Sequence, residues 1–239
     1  MPTRLVVRET APGLFVARTP LVNWLLAVDG GDVLLIDSGY PGQLDAVLES
    51  IRRIGRRPGD VVAGLATHAH TDHIGGFVGL RATRSFPVHA LAAELPALRR
   101  EELHQVGLRA LAPSLWRPRV LGWTVAAVRA GGLRDVAVAD PVAAPEGVPL
   151  DLPGTPVLHA VPGHTPGSAV VRFPGAGLLA TGDAAVTGHP ALPRGGGGLV
   201  DLPAFFQHDV TAARAGRAVV EALPGQVVVP GHGPVLRRG

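Results

Sequence analysis

No cysteine occurs in the 239 residues, which excludes disulfide staples, thiolate metal sites, iron–sulfur clusters and cysteine nucleophiles together. Lysine is absent too: all 22 basic residues are arginine against 19 acidic ones, so the net charge of +3 is mild and points to no anionic partner. No stretch approaches the roughly 20 uncharged apolar residues of a membrane span. Met1–Thr10 shows no apolar core followed by a small-residue cleavage site, and the chain is read as soluble and cytoplasmic. Aromatics make up only 4%, with Tyr40 the single tyrosine. What is present is a 46% hydrophobic composition, which excludes disorder and fibre formation and supplies a core for one domain over residues 1–239.

Leu14–Ala17, Leu21–Val28 and Val33–Ile36 are short apolar runs, and Asp29-Gly30-Gly31-Asp32 between the last two predicts a hairpin. From Gly42 to Gly55, the residues Leu44, Val47, Leu48, Ile51 and Ile54 fall at three- and four-residue steps, the spacing of a helix that buries one face. Arg52, Arg53, Arg56 and Arg57 cluster at its end, where cations complement the helix dipole, and that reading outweighs nucleic-acid binding. Val61–Ala66 predicts a strand running into a histidine-rich loop, with helix resuming at Phe77. Residues 90–128 read as a helical insertion broken by Pro96, Pro113 and Pro118. Strands return at Val157–Val161, Ala169–Phe173, Leu178–Ala180 and Val227–Val229, with an amphipathic helix from about Pro203 to Leu223. This order predicts two similar β-rich halves with helices outside, a layered α/β architecture.

Ten histidines invite the question of metal, and spacing answers better than number. His68 and His70 are two apart, so on an extended strand end both imidazoles point the same way and reach one ion. Asp72 and His73, after the chain turns, are free to reach a second. A lone His-x-His is often a surface pair, but His-x-His-x-Asp-His is a compact set of ligands. Zinc takes four nitrogen or oxygen donors, so the rest of the chain must supply more. Pro162–Gly167, Thr181-Gly182-Asp183 and Pro230–Pro234 each follow a predicted strand and carry His164, Asp183 and His232.

With these residues in view, the chain resembles the metallo-β-lactamase superfamily, and within it the hydrolase branch typified by glyoxalase II. The matching elements are Leu35–Gly39, Thr67–His73, Gly163–Ser168, Thr181–Asp183 and Gly231–Gly233. The resemblance implies a four-layer αβ/βα sandwich with the helical insertion over the site. It further implies that His68, His70 and His164 bind one metal, that Asp72, His73 and His232 bind the other, and that Asp183 bridges them. Asp37 would orient a ligand imidazole. The cofactor expected is a pair of Zn2+ ions, with Fe or Mn as alternatives. Two such ions, offset by Asp72, Asp183 and a bridging hydroxide, favour hydrolysis of an ester, thioester or lactone of a small molecule, with Asp72 passing a proton to the leaving group.

Departures narrow the substrate. Glyoxalase II enzymes carry C-terminal basic and tyrosine residues for glutathione, and the Pro234–Gly239 tail is too short for such a domain. β-Lactamases of the superfamily lack the bridging aspartate, so Asp183 argues against antibiotic hydrolysis. Quorum-signal lactonases have a tyrosine near the bridging region, and none follows Tyr40. His189, six residues after Asp183, is a candidate substrate contact, as is Tyr40, which packs or lines the cleft. His89, His104, His159 and His208 match no ligand position. Trp116, Trp123, Leu108, Leu111 and Leu115 form either an apolar roof or local core; Arg109, Arg117 and Arg119 read as solvated. The Gly195–Gly198 run lacks the residues of a phosphate cradle and reads as a mobile loop. Three other readings stay open: a mononuclear iron enzyme similar to persulfide dioxygenases, using His70, His164 and Asp183; a phosphodiesterase; and a metal-binding scaffold without turnover. The natural substrate, the metal in the cell and the oligomeric state are left open.

Overall fold

The computed structural model describes residues 4–193 and 197–239; Gly195 and Gly196 of the glycine run, with Arg194, lie outside them. The first sheet comprises β1 (Val6–Ala11), β2 (Leu14–Arg18), β3 (Asn23–Asp29), β4 (Asp32–Ile36), β5 (Val61–Leu65), β6 (Val88–Leu91) and β7 (Val142–Ala144), side by side in chain order. β1 to β4 pair antiparallel through tight turns, whereas β4 to β7 pair parallel. Parallel neighbours need crossovers, and these are helical: α1 (Leu44–Arg53), α2 (Thr71–Arg81), then α3 (Leu95–Leu98), α4 (Leu108–Leu111) and α5 (Pro118–Arg129). The second sheet has the order β12 (Leu236–Arg237), β11 (Val227–Pro230), β10 (Leu178–Gly182), β9 (Ala169–Phe173), β8 (Val157–Ala160). Its one parallel pair, β10 with β11, is bridged by α6 (Val210–Ala222).

The layering follows from strands that are apolar on both faces. Alternate residues Leu25, Ala27, Leu34 and Ile36 face the second sheet, where they pack in one core with Val171, Phe173, Leu178 and Ala180. The intervening Trp24, Leu26, Val33 and Leu35 face Val47 and Ile51 of α1 and Ile74 and Phe77 of α2. On the far side, Val170, Leu179 and Val228 cover Val220 of α6. The result is helix, sheet, sheet, helix.

Two helix starts differ from the sequence expectation, and two edge strands are added to it. Residues 90–128 are mostly helical and broken by prolines, as expected, once β6 has ended at Leu91: α3, α4 and α5 lie within them, with Pro96 in the first turn of α3 and Pro118 opening α5. Helix α2 begins at Thr71 and not at Phe77, which places Asp72 and His73 in its first turn, where an acidic side chain suits the helix N-terminus. The late helix begins at Val210, capped by Asp209, whose carboxylate accepts from the amides of Thr211 at 2.8 Å and Ala212 at 2.9 Å. The edge strands β1 and β12 carry too much polar sequence to show the apolar runs that mark the others. At the end of α1, Glu49 accepts from Arg52 and Arg53 at 3.1 and 2.9 Å. Among the described residues no helix is long and apolar enough to cross a membrane.

Phe173→Ala empties space in the core between the sheets, where the ring is 1% exposed. It is expected to lower the unfolding free energy by about 3–5 kcal/mol. Val219→Ala, on the outer face of α6, is expected to stay within about 0.5 kcal/mol; urea titration followed by circular dichroism reads both.

Candidate metal centre

Every candidate ligand sits just past the C-terminal end of a strand, so the parallel arrangement delivers all of them to one edge of the two sheets. His68 and His70 follow β5, Asp72 and His73 open α2, His164 follows β8, Asp183 follows β10 and His232 follows β11. Rigid strand ends hold such groups more tightly than free loops. The seven side chains converge as three overlapping groups whose ligand atoms lie within 4.8 Å of one another: His68, His70 and His164; His68, His73 and Asp183; Asp72, His73 and His232.

Asp183 lies between the histidines. Its Oδ2 is 3.5 Å from His164 Nε2 and 3.2 Å from His232 Nε2, and its Oδ1 is 3.5 Å from His73 Nε2. Asp72 Oδ2 lies 3.3 Å from His232 Nε2 and 3.8 Å from His73 Nε2. His70 Nδ1 and His164 Nε2 approach to 3.0 Å. Gly231 permits this crowding, since a Cβ there would strike the Asp183 carboxylate and the His73 ring.

The far side of four of the five imidazoles is tied down, which decides which nitrogen of each faces inward. Asp37 adopts the left-handed φ of 56° that aspartate tolerates better than most residues. Its Oδ1 accepts from the Thr67 amide at 2.8 Å, and its Oδ2 accepts from Thr67 Oγ1 and from His73 Nδ1, both at 2.8 Å. Because the Thr67 hydroxyl spends its proton on Asp37, it can only accept from His68 Nδ1, 3.1 Å away. His232 Nδ1 donates to the Leu21 carbonyl at 2.6 Å, and His164 Nδ1 faces Gln207 Oε1 at 3.3 Å. Four rings therefore turn Nε2 toward the centre.

The nitrogens His68 Nε2, His70 Nε2 and His73 Nε2 and the oxygen Asp183 Oδ1 are buried without a hydrogen-bond partner among the described residues. Unpartnered buried polar atoms are costly. Together with the Asp72 carboxylate beside them, such nitrogen and oxygen atoms fit a borderline divalent cation such as zinc. The electrostatics point the same way. Burial lowers His232, but Asp183 and Asp72 outweigh it and push its pKa up to about 10. Burial likewise opposes His73, which Asp37, Asp72 and Asp183 raise well above the usual value. Asp72 and Asp183 stay ionised in spite of burial, held low by His73 and His232. His68, His70 and His164 go the other way, lowered chiefly by burial and helped by neighbouring imidazoles, with His70 at about 3. The carboxylates thus draw positive charge while three imidazoles keep bare nitrogens.

Three side chains absent from the sequence reading clasp the histidine loop. Glu94, fully buried, accepts from the Ala69 amide at 2.7 Å, from Thr165 Oγ1 at 2.8 Å and from the Gly167 amide at 2.8 Å. It joins the residue between His68 and His70 to the turn that carries His164. Arg100 donates to the Ala69 carbonyl at 3.2 Å and to Thr71 Oγ1 at 2.9 Å, and Gln105 Oε1 accepts from the Thr71 amide at 3.0 Å. The one local signal was Glu94 itself, a lone carboxylate in the apolar run Ala90–Leu98.

A cavity opens above the ligands, with Tyr40, Asp72, Asp183, His189 and Trp123 in its wall. The Tyr40 phenol is kept protonated by burial and by the nearby Asp72 and Asp183. His189 Nδ1 accepts from the Ala191 amide at 3.1 Å, so Nε2 carries its proton; burial and His232 lower its pKa to about 3. Its ring centroid lies 4.6 Å from that of His232 and 5.1 Å from that of Trp123. Leu108, Leu111 and Trp123 line the cavity, whereas Trp116 is 76% exposed and stacks outward with Arg117, 5.3 Å from its ring centre. His104 pairs edge-on with His208 away from the centre, and His89 and His159 lie on β6 and β8.

A sequence profile of the Metallo-beta-lactamase superfamily matches residues 18–232. Metallo-beta-lactamase domain-containing protein 1 of Xenopus laevis is 27% identical over 213 residues, 88% of this chain and 70% of that protein. A hydroxyacylglutathione hydrolase of Xanthomonas campestris is 43% identical over 58 residues, 24% of this chain and 20% of the hydrolase. Metallo-beta-lactamase domain-containing protein 1 of Rattus norvegicus is 48% identical over 42 residues, 18% of this chain and 17% of its own length. The chain therefore covers about a fifth or less of two of these relatives. In fold it is similar to a metallo-beta-lactamase family protein of Thermus thermophilus, with TM-score 0.67 and 22% identity over 96% of this chain and 76% of that one. A subclass B3 metallo-beta-lactamase of Bradyrhizobium japonicum gives TM-score 0.66 and 18% identity over 95% and 77%. The chain belongs to the metallo-beta-lactamase superfamily.

Two substitutions test the orienting contacts. Asp37→Asn places an amide N–H against either Thr67 or His73 and forces one ring to give up its inward nitrogen. Zinc affinity, measured by competition with a chromophoric chelator, is expected to fall about 10–100-fold. Glu94→Gln offers one oxygen where three donors need two, and is expected to shift the visible absorption of the cobalt-substituted protein while leaving the far-ultraviolet circular dichroism unchanged.

Proposed function

We propose that this chain acts as one domain, a dinuclear zinc hydrolase that cleaves an ester, thioester or lactone bond of a small molecule. The observation that carries the reading is the set of seven converging donors, four of whose atoms are buried and unpartnered. His68, His70 and His164 would hold one ion, Asp72, His73 and His232 the other, and Asp183 would reach both. When bound, such ions supply Lewis-acid chemistry, lowering the pKa of water and stabilising developing negative charge.

The protein's own groups supply the rest. Asp72, ionised and in the cavity wall, is placed to carry a proton to the departing heteroatom. Tyr40, protonated, and His189, neutral with its proton on Nε2, offer donors to a substrate carbonyl or leaving group from opposite sides of Asp72 and Asp183 in sequence. The buried apolar part of the cavity wall lowers the local dielectric, which strengthens each of these interactions. Hydrolysis of a hydroxyacylglutathione, the activity named for the Xanthomonas relative, is chemistry of this kind.

The test joins metal analysis to a substrate panel. Purified protein is expected to hold about two zinc per chain and to cleave nitrophenyl esters, with activity lost to a chelator and restored by zinc. About one iron per chain, with oxygen consumed on a persulfide, would replace this reading with the dioxygenase one; faster cleavage of bis-nitrophenyl phosphate than of esters would replace it with a phosphodiesterase. Asp183→Ala is expected to abolish turnover and lower metal content, and His189→Ala to keep the metal and change substrate preference.

A further inference from the structure

We infer that the substrate's non-reacting part is a neutral, extended apolar chain, held in a continuous track that runs from the cavity above the ligands out along α5. The inference rests on the hydrolase reading for the reacting end of the molecule.

The inner part of the track is the buried roof. Leu111, Trp123, Leu202 and Phe206 are 3–8% exposed and line the cavity, which is open to solvent at its mouth. Two polar residues of the lining have their polar atoms engaged elsewhere. Gln105 accepts from Thr71 and donates to the Gly132 carbonyl at 3.0 Å, and Thr124 Oγ1 donates to the Val120 carbonyl at 2.8 Å. Their hydrogen-bonding groups are thus engaged within the protein. Among the described residues no arginine lines it.

The outer part is exposed apolar surface. Leu108, Val128 and Leu133 line the same cavity yet are 45%, 39% and 61% exposed, so its wall reaches the surface through apolar side chains. Leu121 and Val125, at 48% and 40%, continue the line, since 121, 125 and 128 share one face of α5. Exposed apolar surface of this kind marks a binding site. Its continuity with a cavity floored by Asp72, His164, Asp183 and His232 selects the occupant: a tail attached to the group that reacts there. A macromolecular partner would account for the outer face and leave the apolar cavity unexplained.

Calorimetry on the zinc-loaded protein with acetohydroxamate and octanohydroxamate tests this without turnover, since the two share a chelating head and differ in tail length. Burial is worth up to about fourfold per methylene, a ceiling of about 4,000-fold for the six added, and partial burial along the track is expected to make octanohydroxamate bind about 100-fold more tightly. The double variant Val128→Asp, Leu133→Asp changes only exposed positions. It is expected to cut that ratio at least about tenfold with zinc content unchanged, while Val219→Asp on α6 leaves the ratio as it was. Equal affinities, a ratio indifferent to the double variant, or a dimer in solution that the double variant dissolves would overturn the inference. A nitrophenyl ester series from acetate to octanoate separates the two readings. Tail-dependent binding with no ester cleaved leaves the track standing and removes the hydrolase; cleavage indifferent to chain length does the reverse.

Discussion

The carboxylate of Asp37 is the contact from which the rest of the centre takes its geometry. Through Thr67 and His73 it fixes the inward nitrogens of two imidazoles, and it does so from the end of β4 upon the end of β5 and the start of α2. Thr67 extends the constraint across the molecule: its carbonyl accepts from the Ala169 amide at 2.9 Å, joining the first sheet to β9 of the second. Asn23 makes a second junction, its side-chain amide donating to the Pro230 and Gly233 carbonyls on either side of His232. Neither sheet alone holds all of the candidate ligands. The core between the sheets keeps them in register, and these polar junctions convert that register into a distance between His73 and His232.

The segment between β6 and β7 has two duties that act on opposite sides of the same loop. Glu94, Arg100 and Gln105 hold the backbone of residues 69–71 from outside, while Leu111 and Trp123 roof the cavity from above. Glu94 shows the cost of the first duty. Its burial raises its pKa, and three hydrogen bonds from Thr165, Ala69 and Gly167 oppose that rise. A carboxylate is retained in an apolar layer because two backbone amides and a hydroxyl would otherwise be buried without acceptors.

The parts of this arrangement legible in the sequence are those encoded locally. His68, His70, Asp72 and His73 lie within six residues, and the strands of the two-sheet core announce themselves as apolar runs. His164, Asp183 and His232 stand out as candidates at the ends of predicted strands, but their grouping, and the role of Asp37, came through motif resemblance, because nothing in their local sequence says that they meet. Glu94, Arg100 and Gln105 escaped for a physical reason: their partners lie 25, 31 and 34 residues away, and a glutamate or arginine in a helical run reads as a solvated face. β6 and β7, four and three residues long, are too short for period-two alternation to emerge, and the prolines nearby suggested broken helix instead.

The contrast between floor and roof carries the functional argument furthest. The floor gathers two ionised carboxylates and five imidazoles, and the roof is almost entirely hydrocarbon. In such a low-dielectric enclosure charge interactions strengthen, so the same apolar wall that selects a tail also sharpens the electrostatics acting on the head. The two effects are separable by position. Leu108, Leu111, Trp123 and Val128 line the cavity, whereas Glu94 and Arg100 hold the ligand loop without lining the cavity. Substrate range can therefore drift along α4 and α5 while the centre beneath stays fixed; Gln105, which does both, is where a change would alter the two together.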